Sequence, residues 1–159
     1  MAEPSFDMNL AHRWFGVECN NQGWGLLENQ DRRDEQTDEL IHLAHAACWH
    51  WLQVGKPLNH VRALILVGRA HAAAGDGAVA VRYARNCLNL AKLHAGDLTD
   101  FDWACVYECM ARSLAALGQD EEARAFHRQA SEAGEAIAEA DDRAVFQDGF
   151  SAGEWYGLS

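Results

Sequence analysis

Leu64, Val67, Gly68 and His71 recur at the i, i+3, i+4, i+7 spacing that places them on one face of a helix. Gly75 ends that helix, since only glycine enters the left-handed conformation at a C-terminus without a Cβ penalty. Asp76 is then expected to cap a returning helix, whose inner face is Ala80, Ala84, Cys87 and Leu90 or Ala91. The same order of residues comes back further along. Tyr107, Met110, Ala111 and Leu114 precede Gly118, and Ala123, His127 and Ala130 follow it. The two turn glycines stand 43 residues apart, the mark of an internal repeat.

On either side of this repeat the periodicity is again helical. Residues 8–28 read as a first helix capped by Asp7, with Leu10, Trp14, Phe15, Val17 and Leu26 as its apolar positions. A charged connector over 28–38 leads into a second helix from about Asp38 to Val54, ended by Gly55. That helix is apolar nearly all round, one stripe being Leu40, Ala44, Ala47, Cys48 and Trp51 and the next Ile41, His45, Trp49 and Leu52. Such a helix is expected to pack on two sides. Pro57 opens helix three, helix four spans about 77–95, and helices five and six begin at the carboxylates Asp100 and Asp102, and Asp120, Glu121 and Glu122. After Ala140 the helical period fades, and 141–159 reads as an irregular aromatic tail. The expectation is a single all-α domain over 1–159: an N-terminal Trp/His-rich hairpin (1–56), two repeat-like hairpins (57–140) and the tail, about six helices in an antiparallel stack.

The repeat resembles the tetratricopeptide repeat. Leu64, Val67, Gly68, His71, Gly75, Asp76, Ala80 and Cys87 stand at its signature places in the first copy, and Tyr107, Met110, Ala111, Leu114, Gly118, Ala123 and Ala130 in the second. The 43-residue period looks like the long-helix variant of kinesin light chains, and neither copy ends in the usual proline. The resemblance implies a right-handed superhelix of hairpins, with the first helix of each repeat lining a concave face. It also implies protein–protein interaction as the activity. The N-terminal third, with HRWF, ECNN and HLAHAACWHW, is similar to a family of small bacterial helical proteins of unassigned function.

Composition narrows the partners. The chain has 24 acidic and 13 basic residues, a formal charge of −11, so neither nucleic acid nor an anionic membrane is an expected partner. The opening MAEPSFD is acidic and no apolar run reaches the length of a span, which points away from a signal peptide or transmembrane helix. Five scattered cysteines (Cys19, Cys48, Cys87, Cys105 and Cys109) fit a reduced, cytoplasmic chain.

Two groups of residues are candidates for chemistry. Folding helix two back on helix one sets Glu18 and Asn21 near His42 and His45, a cluster that would serve as a metal site or acid–base pair, or as a hydrogen-bonded buried network. No H-E-x-x-H, C-x-x-C, G-x-S-x-G or phosphate-cradling loop accompanies it, and no cofactor is expected. Cys105 and Cys109, one turn apart, read as small buried hydrophobes, and His71 as a core histidine.

The second group is Arg62, Arg69 and Arg112. By the resemblance, Arg69 and Arg112 follow the repeat's glycine position and face the concave side, and Arg62 lies two turns before Arg69. Three guanidinium forks there would clamp a partner's acidic or C-terminal carboxylates, or pair with the chain's own acids, such as Glu108 beside Arg112. The tail, with Phe146, Phe150, Trp155, Tyr156, Asp148, Glu154 and the terminal carboxylate of Ser159, is expected to pack in this groove, in its own chain or in a homodimer partner's, the alternative being a hydrophobic cap over the outer end of helix six. The functional expectation is a cytoplasmic interaction module for an acidic or C-terminal peptide. A metal-dependent enzyme or metal-binding protein using Glu18, Asn21, His42 and His45 is the alternative. A small-molecule sensor with a Trp-lined hollow between helices one and two is a third.

Overall fold

The computed structural model describes residues 5–158, and the regular secondary structure among them is all helical. The helices are α1 (Met8–Glu28), α2 (Asp34–Val54), α3 (Pro57–Ala73), α4 (Gly77–Leu93), α5 (Asp100–Ala116), α6 (Asp120–Glu135) and α7 (Ala140–Ser151), with a 3-10 turn at Ala95–Asp97 between α4 and α5. Each helix packs on the next, and α1 also meets α3, α3 meets α5, and α5 meets α7. The odd-numbered helices therefore form one continuous layer, with the even-numbered helices behind it, as in a stack of hairpins.

Local chemistry explains most of the boundaries. The Asp7 carboxylate accepts from Asn9 N (2.8 Å) and Leu10 N (3.1 Å), a cap worth about 1 kcal/mol. Pro57 occupies the first turn of α3, where its missing N–H leaves no bond unmade. Thr99 and Asp102 cap α5 reciprocally: Asp102 N donates to Thr99 Oγ1 (3.2 Å) and Thr99 N to Asp102 Oδ2 (3.0 Å).

The two repeat turns match bond for bond. Gly75 has φ +76° and Gly118 φ +77°. Gly75 N donates to Ala72 O and Asp76 N to His71 O, and Gly118 N and Gln119 N do the same to Ala115 O and Leu114 O, all at 2.9–3.0 Å. These pairs satisfy the last free carbonyls of α3 and α5.

Three expectations are corrected. Asp76 makes no capping bond to α4; its carboxylate turns instead toward His71. Helix two starts at Asp34 rather than Asp38, because Gln36 Oε1 accepts from Arg33 N (3.1 Å) and closes an earlier first turn. The tail is not wholly irregular: α7 adds a seventh helix, held because Phe146 is buried against Gly134 and Phe150 follows one turn later. With only two apolar positions on that face, α7 leaves too short a period to read.

The core falls into three clusters. Val61, Ile65, Val106, Met110 and Leu114 join α3 to α5, Leu40 and Ala44 of α2 meet Leu66 and Val67, and Ala104, Ala130 and Ile137 receive Phe146. Fully burying a leucine such as Leu40, Leu66 or Leu114 contributes roughly 2–3 kcal/mol. Gly68 sets the α3–α5 distance, since a Cβ there would lie 2.6 Å from Cys109 Sγ. Helix α2 packs on α1 and on α3, yet Trp49 and Leu52 of its second stripe stay exposed.

Candidate functional site

The odd helices and the tail enclose a groove of about 870 Å³ that contains Arg62, Arg69 and Arg112 together. α3 contributes Arg62 and Arg69, two turns apart, and α5 contributes Arg112 with Asp102 and Glu108. Trp24 of α1 and Phe146 of α7 are among the apolar walls.

Each arginine meets one of the chain's own acids. Arg62 forks onto Asp102 (Nε–Oδ1 2.7 Å, Nη2–Oδ2 3.2 Å). Burial by itself would raise the Asp102 carboxyl, but hydrogen bonds from Arg62 and Thr99 outweigh it and hold the group below its ordinary value. Glu108 Oε1 is shared: Arg69 Nη1 and Arg112 Nε both lie 2.8 Å from it. Glu108 and Arg112 are buried, so this triad sits in a medium where charges interact strongly. Desolvation, followed by the charge of Arg69, pulls the Arg112 guanidinium down to about 10, which leaves it protonated at neutral pH.

Two cations share one carboxylate, so the triad keeps an unmatched positive charge. Arg112 is committed to the tail. Its Nη1 donates to Glu154 O (3.1 Å), and its Nη2 lies within reach of Gly149 O (3.1 Å), Phe150 O (3.1 Å) and Ala152 O (2.7 Å). Its guanidinium also lies 3.9 Å over the Trp155 ring. Arg69 is different. Among the described residues its polar partner is Glu108 alone, through Nη1, and its guanidinium lies 6.0 Å from the Trp24 ring centroid.

The tail thus packs against its own chain, in the groove that carries Arg112. The carboxylates expected to meet the arginines do not: Arg112 takes main-chain carbonyls, and Glu154 Oε1 instead accepts from Tyr156 N (2.6 Å). The Ser159 carboxylate lies outside the described residues. Beyond Arg112, Trp155 Nε1 donates to Phe150 O (3.0 Å), the Tyr156 hydroxyl donates to Ala72 O, and Leu158 is buried in the core. The tail straps α7 across α5 to the end of α3.

The Glu18, Asn21, His42 and His45 cluster does not assemble. Asn21 and His42 are exposed, and among the described residues neither Glu18 nor His42 bonds to His45. His45 reaches across to α3 instead, with His45 Nε2 2.9 Å from His71 Nε2. Tyr83 stacks on His71, and Asp76 Oδ2 lies 3.3 Å from His71 Nδ1 without the alignment of a hydrogen bond. Burial lowers both rings first; the His71 and Arg82 charges lower His45 further, while Asp76 acts the opposite way on His71. Among the described residues no three His, Cys, Asp or Glu side chains gather in metal-binding geometry. Cys109 is fully buried and its thiol is pushed up to about 12 by desolvation, which fits a packing role.

Trp24 is a groove residue that local spacing did not single out, and Asp102 was legible only as a carboxylate at the start of helix five. One signal was available: Arg62–Asp102 and Arg69–Glu108 link residues 40 and 39 positions apart, about one turn short of the 43-residue period. No family model, curated protein or solved structure matches the chain.

Proposed function

We propose that this chain is a tetratricopeptide-like interaction module whose groove holds an acidic or C-terminal peptide segment, with Arg69 as the carboxylate receptor. The observation that carries this reading is the state of the triad. Arg69 and Arg112 share Glu108, so one positive charge is unmatched, and Arg69, unlike Arg112, makes no bond to the tail and has Nε and Nη2 to place on an incoming carboxylate. Trp24 beside it offers an apolar face for a neighbouring side chain. The groove's hold on Gly149, Phe150, Ala152 and Glu154 supports the same reading, because Arg112 there recognises peptide main chain. The matching Gly75 and Gly118 turns support the repeat assignment.

Five free thiols, and no helix among the described residues long and apolar enough to cross a membrane, support a cytoplasmic location. The test is selection of synthetic peptides with free or amidated C-termini on the immobilised full chain, then on Arg69→Glu. Enrichment of acidic or free-acid peptides that Arg69→Glu does not retain is the expected result. Retention of amides and free acids alike by both proteins refutes the reading.

A further inference from the structure

The hairpin α1–α2 carries a second surface, remote from the arginines in chemistry. Along α1, Leu10, Trp14 and Val17 share the face turned away from the core, with Leu10 65%, Trp14 59% and Val17 40% exposed. The Trp14 ring meets Phe15 edge-on at 4.9 Å, and Phe15 stacks on His50 of α2 at 5.3 Å. His50 meets His12, Nδ1 to Nδ1 at 2.8 Å, and Trp49 packs edge-on against both histidines. Leu52 follows Trp49 by three residues and is also exposed. Aromatic contacts thus join the outer face of α1 to the end of α2 in one surface.

We propose that this surface is a homodimer interface, in which the α1–α2 hairpins of two copies pack about a two-fold axis as a four-helix contact. Three observations favour a second copy over other occupants. The first is area. With Phe6 and Met8 at the start of α1, the exposed apolar side chains leave open on the order of 800 Å², the contribution one partner makes to a standard interface.

Charge is the second. The chain is formally −11, yet residues 6–17 and 45–53 contain one acid, Asp7, and one base, Arg13. Two acidic copies can therefore meet here without like charges opposed. An anionic membrane or nucleic acid would find no basic collar.

The third is position in the stack. Terminal units of a helical stack need a polar outer face to stay soluble. α7 and the tail cover α5 and α6 at one end, while the α1–α2 end is left aromatic. An antiparallel hairpin is also a natural isologous element, because a two-fold axis sets each of its helices against its copy in the partner.

The test is sedimentation equilibrium of the full chain from low to high micromolar concentration. Wild type is expected to shift from the 17.6 kDa monomer to twice that mass. Trp14→Glu with Trp49→Glu is expected to remain monomeric throughout with unchanged helical circular dichroism. Leu93→Glu, an equally intrusive charge at an exposed leucine of α4, is expected to dimerise as wild type does. Should the double charge reduce helicity, Leu10→Gln with Val17→Gln is read by the same experiment, and loss of the dimer is again expected. A wild type that stays monomeric at the highest concentration, or a dimer that persists in folded variants of this face, overturns the proposal.

Discussion

Arg112 Nη2 donates to the carbonyl of Ala152 at 2.7 Å, across forty positions of chain. This bond, with those to Gly149, Phe150 and Glu154, converts a charged side chain of α5 into the anchor of the C-terminal segment. Arg112→Lys keeps the charge but not the planar fork, so it cannot hold these carbonyls together. It is expected to lower stability by about 2–4 kcal/mol and to raise amide exchange over residues 149–158. Exchange rates there equal to wild type would show that the arginine does not hold the tail.

Removing the shared carboxylate has a larger effect than removing the outer one. Glu108→Gln leaves Arg69 and Arg112 facing each other in a buried site, and the expected loss is about 3–5 kcal/mol. Asp102→Asn deprives Arg62 of its partner, but that side chain is half exposed to water, and about 1–2 kcal/mol is expected. Denaturant melts of the two variants give the order directly. Equal losses would mean that Glu108 does not balance two cations.

The two classes of glycine should respond in opposite directions. Gly75→Ala and Gly118→Ala each force a Cβ into left-handed backbone and should cost about 1 kcal/mol. Gly25 lies within α1, with open space where a Cβ would stand, so Gly25→Ala should gain about 0.5–1 kcal/mol. Thermal melts would expose a mistaken turn if either of the first two variants matched wild type.

The α3–α4 and α5–α6 hairpins were legible because their turn signals recur. One glycine turn is ambiguous, but two 43 residues apart, each after a helical face containing an arginine, mark two helix ends by the same signal. The groove was legible only in part. Arg112's i, i+4 pairing with Glu108 is local and was readable, whereas its grip on the tail uses main-chain oxygens that no residue type announces. His45 went astray because a helix apolar on two faces has two neighbours: pairing α2 with α1 alone pointed His45 at Glu18, while the side facing α3 carries it to His71.

The His45–His71 contact makes a signed prediction for pH. Both rings are held below the ordinary histidine range in the folded chain, so on acidification the unfolded chain binds protons first. Their contribution is complete above the unfolded value of about 6.5 and is lost as pH falls through the lower folded values. Asp76 facing His71 opposes the loss; Arg82 and His42 facing His45 add to it. The melting temperature of wild type should fall more steeply between pH 7 and 5 than that of His45→Gln with His71→Gln. Parallel slopes would show that the pair does not titrate with unfolding.

Arg69 carries the functional proposal, and calorimetric titration addresses it most directly. A peptide selected on the full chain is titrated as the free acid and as the amide, into wild type and into Arg69→Glu. A charge-assisted hydrogen bond to the carboxylate contributes about 1.5–3 kcal/mol, so the free acid should bind wild type roughly 10- to 100-fold more tightly than the amide. That preference should vanish in Arg69→Glu. Equal affinity of acid and amide for wild type, or a preference that survives in Arg69→Glu, would contradict the carboxylate-receptor role.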